Sequence, residues 1–250
     1  MKLSVITVCF NSQTTIARTI DSFLDQDYPD REMIVVDGAS RDATCDIVRG
    51  YDSPLISLVS EPDRGIYDAM NKGLRLFRGA AVGFLNSDDR YHDTGALSRI
   101  AAGLAQADIV SGALHFVTAH DGSAPVRVWR PAPFRKGAYR RGFSLPHPTT
   151  YARRAVTDQV GNFDDSLRSA GDYDWLLRAL EIEGFSHKVL DTVLVDMQIG
   201  GASTAGAAAV LRNTRELLAV RRRRLESGPV DAAMFLNLFG KVGQVLGARR

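Results

Sequence analysis

The sequence predicts an α/β fold in which a mostly parallel sheet is flanked by helices and followed by a C-terminal helical extension. Apolar runs that are typical of buried strands alternate with segments in which apolar residues recur at helical spacing. Strands that alternate with helices favour parallel neighbours joined by right-handed crossovers. A length of 250 residues and an apolar content of 45% suit one large domain, or one domain with an appendage.

Four strands and three helices are predicted in the first part of the chain. The opening run, 3–10, is apolar and rich in β-branched residues, which favour strands. The next segment is predicted to be helical because Ile16, Ile20 and Phe23 fall on one face. The remaining strands are predicted at 33–36, 56–60 and 80–85, and the remaining helices at about 42–49 and 67–77.

The pattern changes after about residue 105. Two alternating segments, 108–118 and 126–130, flank a turn at 121–123 and predict a β-hairpin. Residues 131–148 contain four prolines and five basic groups, which predicts a mobile loop. The last predicted elements are a helix over 172–183, a strand over 189–195, a basic helix over 207–226 and an amphipathic segment over 230–247.

Composition excludes several classes of protein. Two cysteines, Cys9 and Cys45, are too few for a disulfide framework or a cysteine metal cluster, so a reducing compartment is expected. The first residues run directly into a strand and show no signal-peptide pattern. No stretch approaches the 18 or more apolar residues typical of a membrane span. A cytoplasmic protein is therefore predicted.

The charge is unevenly distributed along the chain. Residues 1–125 carry a net charge of −6, residues 126–250 carry +8, and residues 205–250 alone carry +6. This asymmetry predicts an anionic partner near the C-terminus, such as a phosphorylated carrier or the inner face of the plasma membrane. Nucleic acid is not expected, because no aromatic stacking platform accompanies the basic groups. The run 221–224 fits either a solvated helix face or an anionic lipid surface.

Four residues that follow a predicted buried strand carry the strongest functional signal. Asn86, Ser87, Asp88 and Asp89 come directly after the apolar run 80–85. Adjacent carboxylates raise each other's pKa unless a cation or hydrogen-bond donors compensate. A hard divalent ion with oxygen ligands is the usual compensation, and ligands of open α/β sheets bind at this edge. The alternative interpretation is an acidic turn that caps the next helix.

Another carboxylate ends a neighbouring predicted strand. Asp37 follows the run 33–36, so in a parallel sheet it lies on the same edge as Asp88 and Asp89. An ionised carboxylate only accepts hydrogen bonds, so Asp37 could accept one from the imide of a nucleobase. Three carboxylates on one edge favour a binding site, while an ordinary turn at the end of a strand remains the alternative for Asp37.

Five segments of the chain form an ordered set of motifs. They are SVITVCFN at 4–11, VVDGASRD at 35–42, EPDRGIYDAMNKG at 61–73, FLNSDD at 84–89 and AGDYDWLLR at 170–178. Taken together and in this order, they resemble the family-2 glycosyltransferases, which are inverting enzymes with the GT-A fold, the Rossmann-like fold of nucleotide-diphospho-sugar transferases. The resemblance extends over about residues 3–203, and the segment 61–73 is most similar to bacterial polysaccharide and lipopolysaccharide transferases.

The resemblance implies roles for individual residues. Residues 1–204 would form the GT-A domain, with a nucleotide-binding half at 1–105 and an acceptor-binding half at 106–204, and residues 205–250 would form a basic amphipathic tail. The glycine-rich segment 200–203 would close near the diphosphate. The residues implied to bind the nucleotide-sugar are Thr7, Phe10, Asn11 and Asp37 around the base, Arg64 near the base or diphosphate, Asp68 and Asn71 in support, Asp88 at the ribose or metal, and Ser87.

The catalytic groups follow from the same resemblance and from the chemistry of sugar transfer. Asp89 would bind Mg²⁺ or Mn²⁺, which neutralises the charge that grows on the departing diphosphate. Asp172, at the start of a predicted helix, would accept the proton of the attacking hydroxyl. Asp174 is the competing base and is also expected to contact the acceptor. His147, between two prolines, fits either a contact with acceptor or donor phosphate or an exposed loop position.

Two positions depart from the pattern of many relatives. Gly38 stands where they have a second acidic residue after Asp37, which leaves recognition of the base on one carboxylate. Asn86 stands where they have an aspartate, which leaves fewer charged ligands for the metal.

The sequence thus predicts an inverting glycosyltransferase that uses a nucleotide-sugar, with UDP as the expected nucleotide, and a saccharide or lipid-linked acceptor in cell-surface polysaccharide synthesis. Two alternatives are a nucleotidyltransferase on a related fold and a non-catalytic module that binds nucleotides or sugars. The first alternative lacks the expected glycine- and lysine-rich phosphate loop after the first strand. The second is disfavoured by the presence of both Asp89 and Asp172.

Overall fold

The computed structural model describes residues 1–120, 124–199 and 207–226. Within these ranges nine strands form one sheet, ordered β3-β2-β1-β4-β8-β6-β9-β5, with β7 paired to β6. The strands are β1 Leu3–Cys9, β2 Arg31–Asp37, β3 Ile56–Ser60, β4 Ala81–Phe84, β5 Arg90–Tyr91, β6 Ile109–Val117, β7 Arg127–Trp129, β8 Thr150–Arg153 and β9 His187–Gln198. The helices are α1 Ile16–Leu24, α2 Thr44–Arg49, α3 Ile66–Leu76, α4 Ala96–Leu104, α5 Arg154–Val160, α6 Gly171–Leu177 and α7 Ala207–Leu225.

The first four strands are parallel and bring their carboxyl ends to one edge of the sheet. β1 lies between β2 and β4, with Cys9 opposite Asp37 and Ile6 opposite Phe84. β3 extends this parallel arrangement on the far side of β2. The residues that follow β1, β2 and β4 therefore meet at the same edge, as the sequence predicts.

Later strands add antiparallel pairing to the sheet. β8 lies antiparallel between β4 and β6, and β5 and β7 are also antiparallel to their neighbours, while β9 is parallel to β6. The predicted α/β fold is confirmed, but only its first half is wholly parallel. The cause is topological, because β8 enters the sheet between β4 and β6 in the opposite direction.

Alternate residues of the central strand supply the two faces of the sheet. Ile6 and Val8 belong to one buried apolar cluster, whereas Leu3, Val5 and Cys9 belong to the other. This period of two is the strand pattern that buries both faces. The helices cover these faces, so the site at the carboxyl edge rests on a rigid core.

Residues 131–148 form no strand or α-helix, as the prediction of a loop implies, but part of this segment is packed against the protein. Tyr139 is completely buried and Leu145 is 5% exposed. Short 3₁₀ turns form at Tyr139–Arg141 and His147–Thr149. The aromatic side chains of Phe134, Tyr139 and Phe143 pack against one another and hold this part of the segment on the protein, while its arginine and lysine side chains are exposed.

Helix α7 packs into the same core as the strands and helices before it. Val220 and Leu225 are buried in the apolar cluster that also contains residues of β1 and β4. Arg221 is 3% exposed and donates to the Tyr173 hydroxyl at 2.9 Å, and it also donates to the Tyr139 carbonyl. The expectation that 221–224 form one solvated or lipid-facing surface is therefore wrong for Arg221. The amphipathic segment 230–247 lies outside the described residues.

Candidate active site

The loops that follow β1, β2 and β4 are joined by side-chain hydrogen bonds. The hydroxyl groups of Ser12 and Ser87 lie 2.9 Å apart, which connects the loop after β1 to the loop after β4. The Ser12 amide donates to the Thr44 hydroxyl at 2.7 Å, and the Gln13 amide donates to Asp42 at 3.1 Å. Ser87 is predicted to bind the donor. In this structure its buried hydroxyl joins the loop after β4 to the loop after β1.

Asp89 is a buried carboxylate with one unpartnered oxygen. It is 1% exposed, and Asn86 Nδ2 donates to its Oδ2 at 3.2 Å, whereas its Oδ1 has no partner among the described residues. Burial, and then the charge of Asp88, raise the pKa of the Asp89 carboxyl well above its usual value. The Thr19 hydroxyl fixes the backbone by donating to the Asp89 carbonyl at 2.7 Å.

These oxygens fit a hard divalent cation. Asn86 Oδ1 is also buried without a partner, so two oxygens of one four-residue segment lack a hydrogen-bond donor. Buried acceptors without partners cost free energy unless a ligand or ion satisfies them. Burial also raises the pKa of the Asp88 carboxyl, and His120 Nε2 lies 3.0 Å from the Asp88 carbonyl. Asp88, Asp89 and Asn86 are thus an oxygen donor set suited to Mg²⁺ or Mn²⁺.

Asp37 does not present an open acceptor, contrary to the sequence-based expectation. It is completely buried, and its oxygens accept five hydrogen bonds from four side chains and one amide. The donors are the Ser40 amide and hydroxyl, the Ser60 hydroxyl and the thiols of Cys9 and Cys45. Burial raises the pKa of the Asp37 carboxyl. The hydrogen bonds from Ser40 and Ser60 lower it by a larger amount, so the pKa is below its usual value.

A second carboxylate, that of Asp63, lies beside Gly38. A β-carbon built on Gly38 would lie 2.4 Å from Asp63 Oδ2 and 3.4 Å from the Phe10 ring. The Gly65 amide donates to the other Asp63 oxygen at 2.9 Å. Phe10 is 61% exposed, so an aromatic ring and a carboxylate border the same surface. The sequence analysis did not identify Asp63, although the absence of an acid at position 38 was visible.

Asn11 lies at this surface and Thr7 does not. Asn11 is exposed in a left-handed conformation with φ of 51°, which asparagine tolerates, and its Oδ1 accepts from the Arg41 amide at 2.9 Å. Thr7 is completely buried within β1, and its hydroxyl has no partner among the described residues. Thr7 therefore has no exposed surface in this structure, and its place around the base stays a prediction.

The start of α3 contacts the segment that precedes α6. Arg64 is exposed and forms ion pairs with Asp165 and, at 3.2 Å, with Asp68. Asn71 is buried and exchanges two hydrogen bonds with the backbone of Phe163, at 3.0 and 2.8 Å. Asp68 and Asn71 therefore have supporting contacts, and the Arg64 guanidinium lies at the protein surface.

Asp172 lies in the first turn of α6, partly exposed. Its Oδ1 accepts from the Tyr67 hydroxyl at 3.1 Å and from the Tyr173 amide at 2.8 Å. Tyr67 stacks on Phe163 with ring centroids 5.8 Å apart, and Phe163 packs edge-on against Phe84 at the end of β4. These rings connect Asp172 to the strand that leads to Asp88 and Asp89.

Asp174 is a structural residue and is not a competing base or an acceptor contact. It is completely buried, and its carboxylate pairs with Arg178 at 2.9 Å, Arg224 at 2.9 Å and Arg223 at 3.2 Å. Burial raises its pKa, but the hydrogen bond from Arg224 and the charges of Arg178 and Arg224 hold it below its usual value. The sequence could not show this, because two of the three partners lie about 50 residues later.

His147 is buried, so the alternative of an exposed loop position is wrong. It is 8% exposed, its ring stacks on Phe84 at 4.9 Å, and Phe163 meets it edge-on at 5.7 Å. Burial lowers the pKa of His147, while the charge of Asp172 acts in the opposite direction. His147 thus lies within electrostatic range of Asp172 and contacts the end of β4.

The sheet edge carries Phe10, Asn11, Asp88 and Asp89, and the rings of Tyr67 and Phe163 connect Asp172 on α6 to the end of β4. Thr7, Asp37 and Asp174 are buried. The glycine-rich segment 200–203 lies outside the described residues. No helix among the described residues is long and apolar enough to cross a membrane.

The fold is that of the GT-A glycosyltransferases. Staphylococcus aureus TarS, residues 1–349 in complex with UDP-GlcNAc, superposes with a TM-score of 0.70 and 23% identity, over 90% of this chain and 67% of that one. A mannosyltransferase from Pyrobaculum calidifontis, in complex with GDP-Man and Mn²⁺, superposes with a TM-score of 0.68 and 21% identity, over 99% and 70% of the two chains.

Sequence comparison identifies the family. The model of Glycosyl transferase family 2 matches residues 4–156, so the chain belongs to this family and is a glycosyltransferase. An uncharacterised glycosyltransferase of Mycobacterium tuberculosis is 32% identical over 183 residues, which cover 71% of this chain and 68% of that protein. A PGL/p-HBAD biosynthesis glycosyltransferase of Mycobacterium bovis is 26% identical over 215 residues, which cover 80% and 78%.

Proposed function

We propose that the protein transfers a sugar from a UDP-sugar to a hydroxyl group of a saccharide or lipid-linked acceptor, with inversion at the anomeric carbon, in cell-surface polysaccharide synthesis. The observation that carries the proposal is the buried, unpartnered Oδ1 of Asp89 on the sheet edge that Phe84 and Phe163 connect to Asp172. Family membership supports sugar transfer, and the two carboxylates supply the chemistry that transfer requires.

Asp89 Oδ1, Asn86 Oδ1 and the carboxylate of Asp88 would hold Mg²⁺ or Mn²⁺. When bound, such an ion neutralises negative charge on the departing diphosphate. Asn86 compensates in part for the missing aspartate, because an amide oxygen is also a ligand for hard cations. The hydrogen bond from Asn86 Nδ2 keeps the Asp89 carboxylate oriented, and the Ser12–Ser87 contact holds this loop against the loop that carries Phe10 and Asn11.

Asp172 would accept the proton of the attacking hydroxyl. Tyr67 and the Tyr173 amide both donate to Oδ1, and no described residue donates to Oδ2, which is the oxygen left for the acceptor. A carboxylate that takes this proton on the face opposite the leaving group accounts for inversion in one displacement. The neutral ring of His147, stacked on Phe84, would shape the acceptor side of the same site.

Asp63, rather than Asp37, would recognise the base. Asp37 has no exposed surface, whereas Asp63 Oδ2 lies beside Gly38 and the exposed Phe10 ring. An ionised carboxylate accepts a hydrogen bond from the N–H of a uracil imide, and Phe10 offers a face for stacking. Asp37 would act indirectly by holding Ser40, whose hydroxyl accepts from the Asn11 amide at 2.7 Å.

The proposals for the acceptor and for the cellular location rest on the charge distribution of the chain. The net charge of +6 over 205–250 favours a phosphorylated carrier or an anionic lipid surface, and it supports a cytoplasmic protein that associates peripherally with the inner face of the plasma membrane. Arg221 and the ion pairs of Arg223 and Arg224 reduce the number of basic groups of α7 that could face such a surface.

Asp89→Ala tests the metal assignment. The wild type is expected to bind UDP more tightly with Mn²⁺ than without it, and the variant should lose this dependence because the buried ligand is gone. Asp158→Ala, an exposed carboxylate on α5, is the control and should bind as the wild type does. Equal UDP affinity of Asp89→Ala with and without Mn²⁺ is expected, whereas a wild-type response to Mn²⁺ in this variant would refute the assignment.

A donor screen tests the reaction. Incubation with several nucleotide-sugars and Mn²⁺ should release nucleoside diphosphate without pyrophosphate, and UDP-sugars should be the substrates. Asp63→Asn should weaken UDP binding, because an amide can present a donor where the imide needs an acceptor. Release of pyrophosphate would indicate nucleotidyl transfer and would contradict the proposal.

A further inference from the structure

Three potential metal ligands lie side by side on adjacent strands, outside the proposed active site. His115 is on β6, Asp196 is on β9, and His92 directly follows β5. In the sheet β9 lies between β6 and β5, and Asp196 is opposite both His115 and Arg90. The three side chains therefore come together across three strands of a rigid sheet.

Their ligand atoms converge on one point. Asp196 Oδ1 lies 2.8 Å from His92 Nδ1 and 3.4 Å from His115 Nδ1, and all three ligand atoms lie within 4.8 Å of one another. The two imidazole rings meet edge to face, with an interplanar angle of 79° and centroids 4.9 Å apart. Both Nδ1 atoms are therefore directed at the same carboxylate oxygen instead of at separate partners.

The carboxylate is held in this orientation by a neighbouring arginine. Arg90 donates to Asp196 Oδ2 at 3.1 and 3.2 Å, which leaves Oδ1 for the histidines. The Asp196 side chain is 4% exposed. Hydrogen bonds from outside the ligand set commonly orient the carboxylates of metal sites.

We propose that His92, His115 and Asp196 bind a transition-metal dication of the zinc class. Two imidazoles and one carboxylate are a ligand set for Zn²⁺, Co²⁺ or Fe²⁺, and three protein ligands leave coordination positions open. The oxygens of Asn86, Asp88 and Asp89 suit Mg²⁺ or Mn²⁺ instead, so the two sites differ in the ions that they prefer.

The site is open to solvent on one side. The His92 side chain is 37% exposed and that of His115 is 16% exposed, so an ion can enter beside His92.

A bound ion would join β5 to β9 next to the proposed active site. β5 has only two residues and begins directly after Asp89, and its Arg90 and Tyr91 pair with Asp196 and Val195 of β9. A ligand that binds the folded state alone stabilises it by mass action. The ion would therefore stabilise the folded chain and the alignment of Asp89, without any role in sugar transfer being required.

Zinc retention and thermal unfolding test the site. The full-length protein, freed of metals and loaded with Zn²⁺ alone, should retain one Zn²⁺ per chain after gel filtration. His92→Gln and His115→Gln should lose it, whereas Asp191→Asn, an exposed carboxylate on β9, should retain it. Zn²⁺ should raise the melting temperature of the wild type and of Asp191→Asn, but not that of the histidine variants. Co²⁺ should give a visible ligand-field spectrum that depends on the same histidines.

Asp89→Asn distinguishes the two sites. It removes a ligand of the proposed diphosphate site and should leave zinc retention unchanged. Loss of zinc in Asp89→Asn with full retention in His92→Gln would overturn the proposal, as would a wild type that retains no zinc. His92 lies at the exposed end of the cluster, so His92→Gln keeps the test valid if His115→Gln does not fold.

Discussion

At the scale of single residues, Asp172 is the group whose removal should separate binding from chemistry. Its position in the first turn of α6, with two donors on Oδ1, keeps the carboxylate available to a hydroxyl nucleophile. Asp172→Asn is expected to bind the UDP-sugar with unchanged affinity, because the base and diphosphate contacts lie elsewhere. Its turnover should fall by about 10²–10⁴-fold, the usual contribution of a general base.

Steady-state kinetics and donor titration measure both quantities. Asp158→Asn, which changes an exposed carboxylate, should leave turnover and affinity as they are in the wild type. Tyr67→Phe keeps the ring that stacks on Phe163 and removes only the hydroxyl, so it should reduce turnover less than Asp172→Asn does. Near-normal turnover in Asp172→Asn would move the base to another residue.

The sequence analysis could single out those candidate site residues whose signal is local. Asp88, Asp89 and Asp172 each belong to a short motif at the end of a predicted strand or the start of a predicted helix. Asp37 belongs to the same kind of motif, yet its oxygens accept hydrogen bonds from Cys9, Ser40, Cys45 and Ser60. Cys9 and Ser60 are distant from Asp37 in the chain. Hydrogen-bond saturation of this kind depends on tertiary contacts, so a sequence pattern alone does not distinguish a buried acceptor from an exposed one.

At the scale of secondary-structure elements, α7 supports the start of α6. Glu216 accepts hydrogen bonds from the amides of Arg168, Ser169 and Ala170, the three residues before α6, at 2.8 to 3.1 Å. A carboxylate at the amino end of a helix satisfies free amide groups and is favourable for the helix dipole. Glu216 thereby fixes the turn that carries Asp172.

Glu216→Ala is expected to lower turnover while the KM for the donor stays unchanged. The three amides would lose their partner, which costs about 1–3 kcal/mol of stability. Glu216→Gln keeps an acceptor and should have the smaller effect. Glu226 is an exposed carboxylate just after α7, so Glu226→Ala is the control in kinetics and thermal melting. A Glu216→Ala variant with wild-type turnover and melting temperature would contradict this role.

The ion pairs of Asp174 also join α6 to α7, and they predict a pH dependence of stability. The pKa of Asp174 is depressed in the folded state, so its contribution is present above the unfolded value of about 4 and is lost as the pH falls below it. Asp174→Asn should cost about 2–4 kcal/mol at neutral pH, below the full penalty of a broken buried pair because the arginines reach solvent.

The matching measurement is thermal unfolding between pH 7 and pH 3. The melting temperature of the wild type should fall more steeply below pH 4 than that of Asp174→Asn, because the variant has no carboxylate to protonate at this position. Asp158→Asn should follow the wild type. Parallel curves for the wild type and Asp174→Asn would show that the ion pairs contribute nothing.

Element prediction succeeded where apolar periodicity was long and failed where elements were short. The parallel strands β1 to β4 and the helices between them lie within a few residues of their predicted bounds. β5 and β8 have two and four residues, too few to show a period, and neither was predicted. α4 was also not predicted, although Leu97, Ile100 and Leu104 recur at helical spacing and are completely buried.

At the scale of the whole molecule, the basic C-terminal region is divided between internal and external roles. The sequence shows a net charge of +6 over 205–250, from which a solvated or lipid-binding surface is a natural interpretation. In the described residues of this region, Arg221 is buried, and Arg223 and Arg224 pair with Asp174. Net charge is a sum over residues, so it does not reveal which charges are already neutralised by partners inside the fold.

Two substitutions on α7 test whether this helix is part of the folded domain. Val220 is 1% exposed within the main apolar cluster, whereas Leu211, on the same helix, is 51% exposed. Val220→Asp would bury an unpaired charge and should destabilise the protein by about 3 kcal/mol or more. Leu211→Asp introduces the same carboxylate in solvent and should change stability by no more than about 0.5 kcal/mol.

Denaturant unfolding of the full-length variants measures this difference. If α7 is integral, Val220→Asp should lower the single unfolding midpoint without a separate transition, because the cluster around Val220 also contains Ile6, Phe84 and Trp175. Donor binding should weaken in parallel with stability. A separate early transition, or equal midpoints for Val220→Asp and Leu211→Asp, would instead make α7 an independent appendage whose basic groups are free to contact other partners.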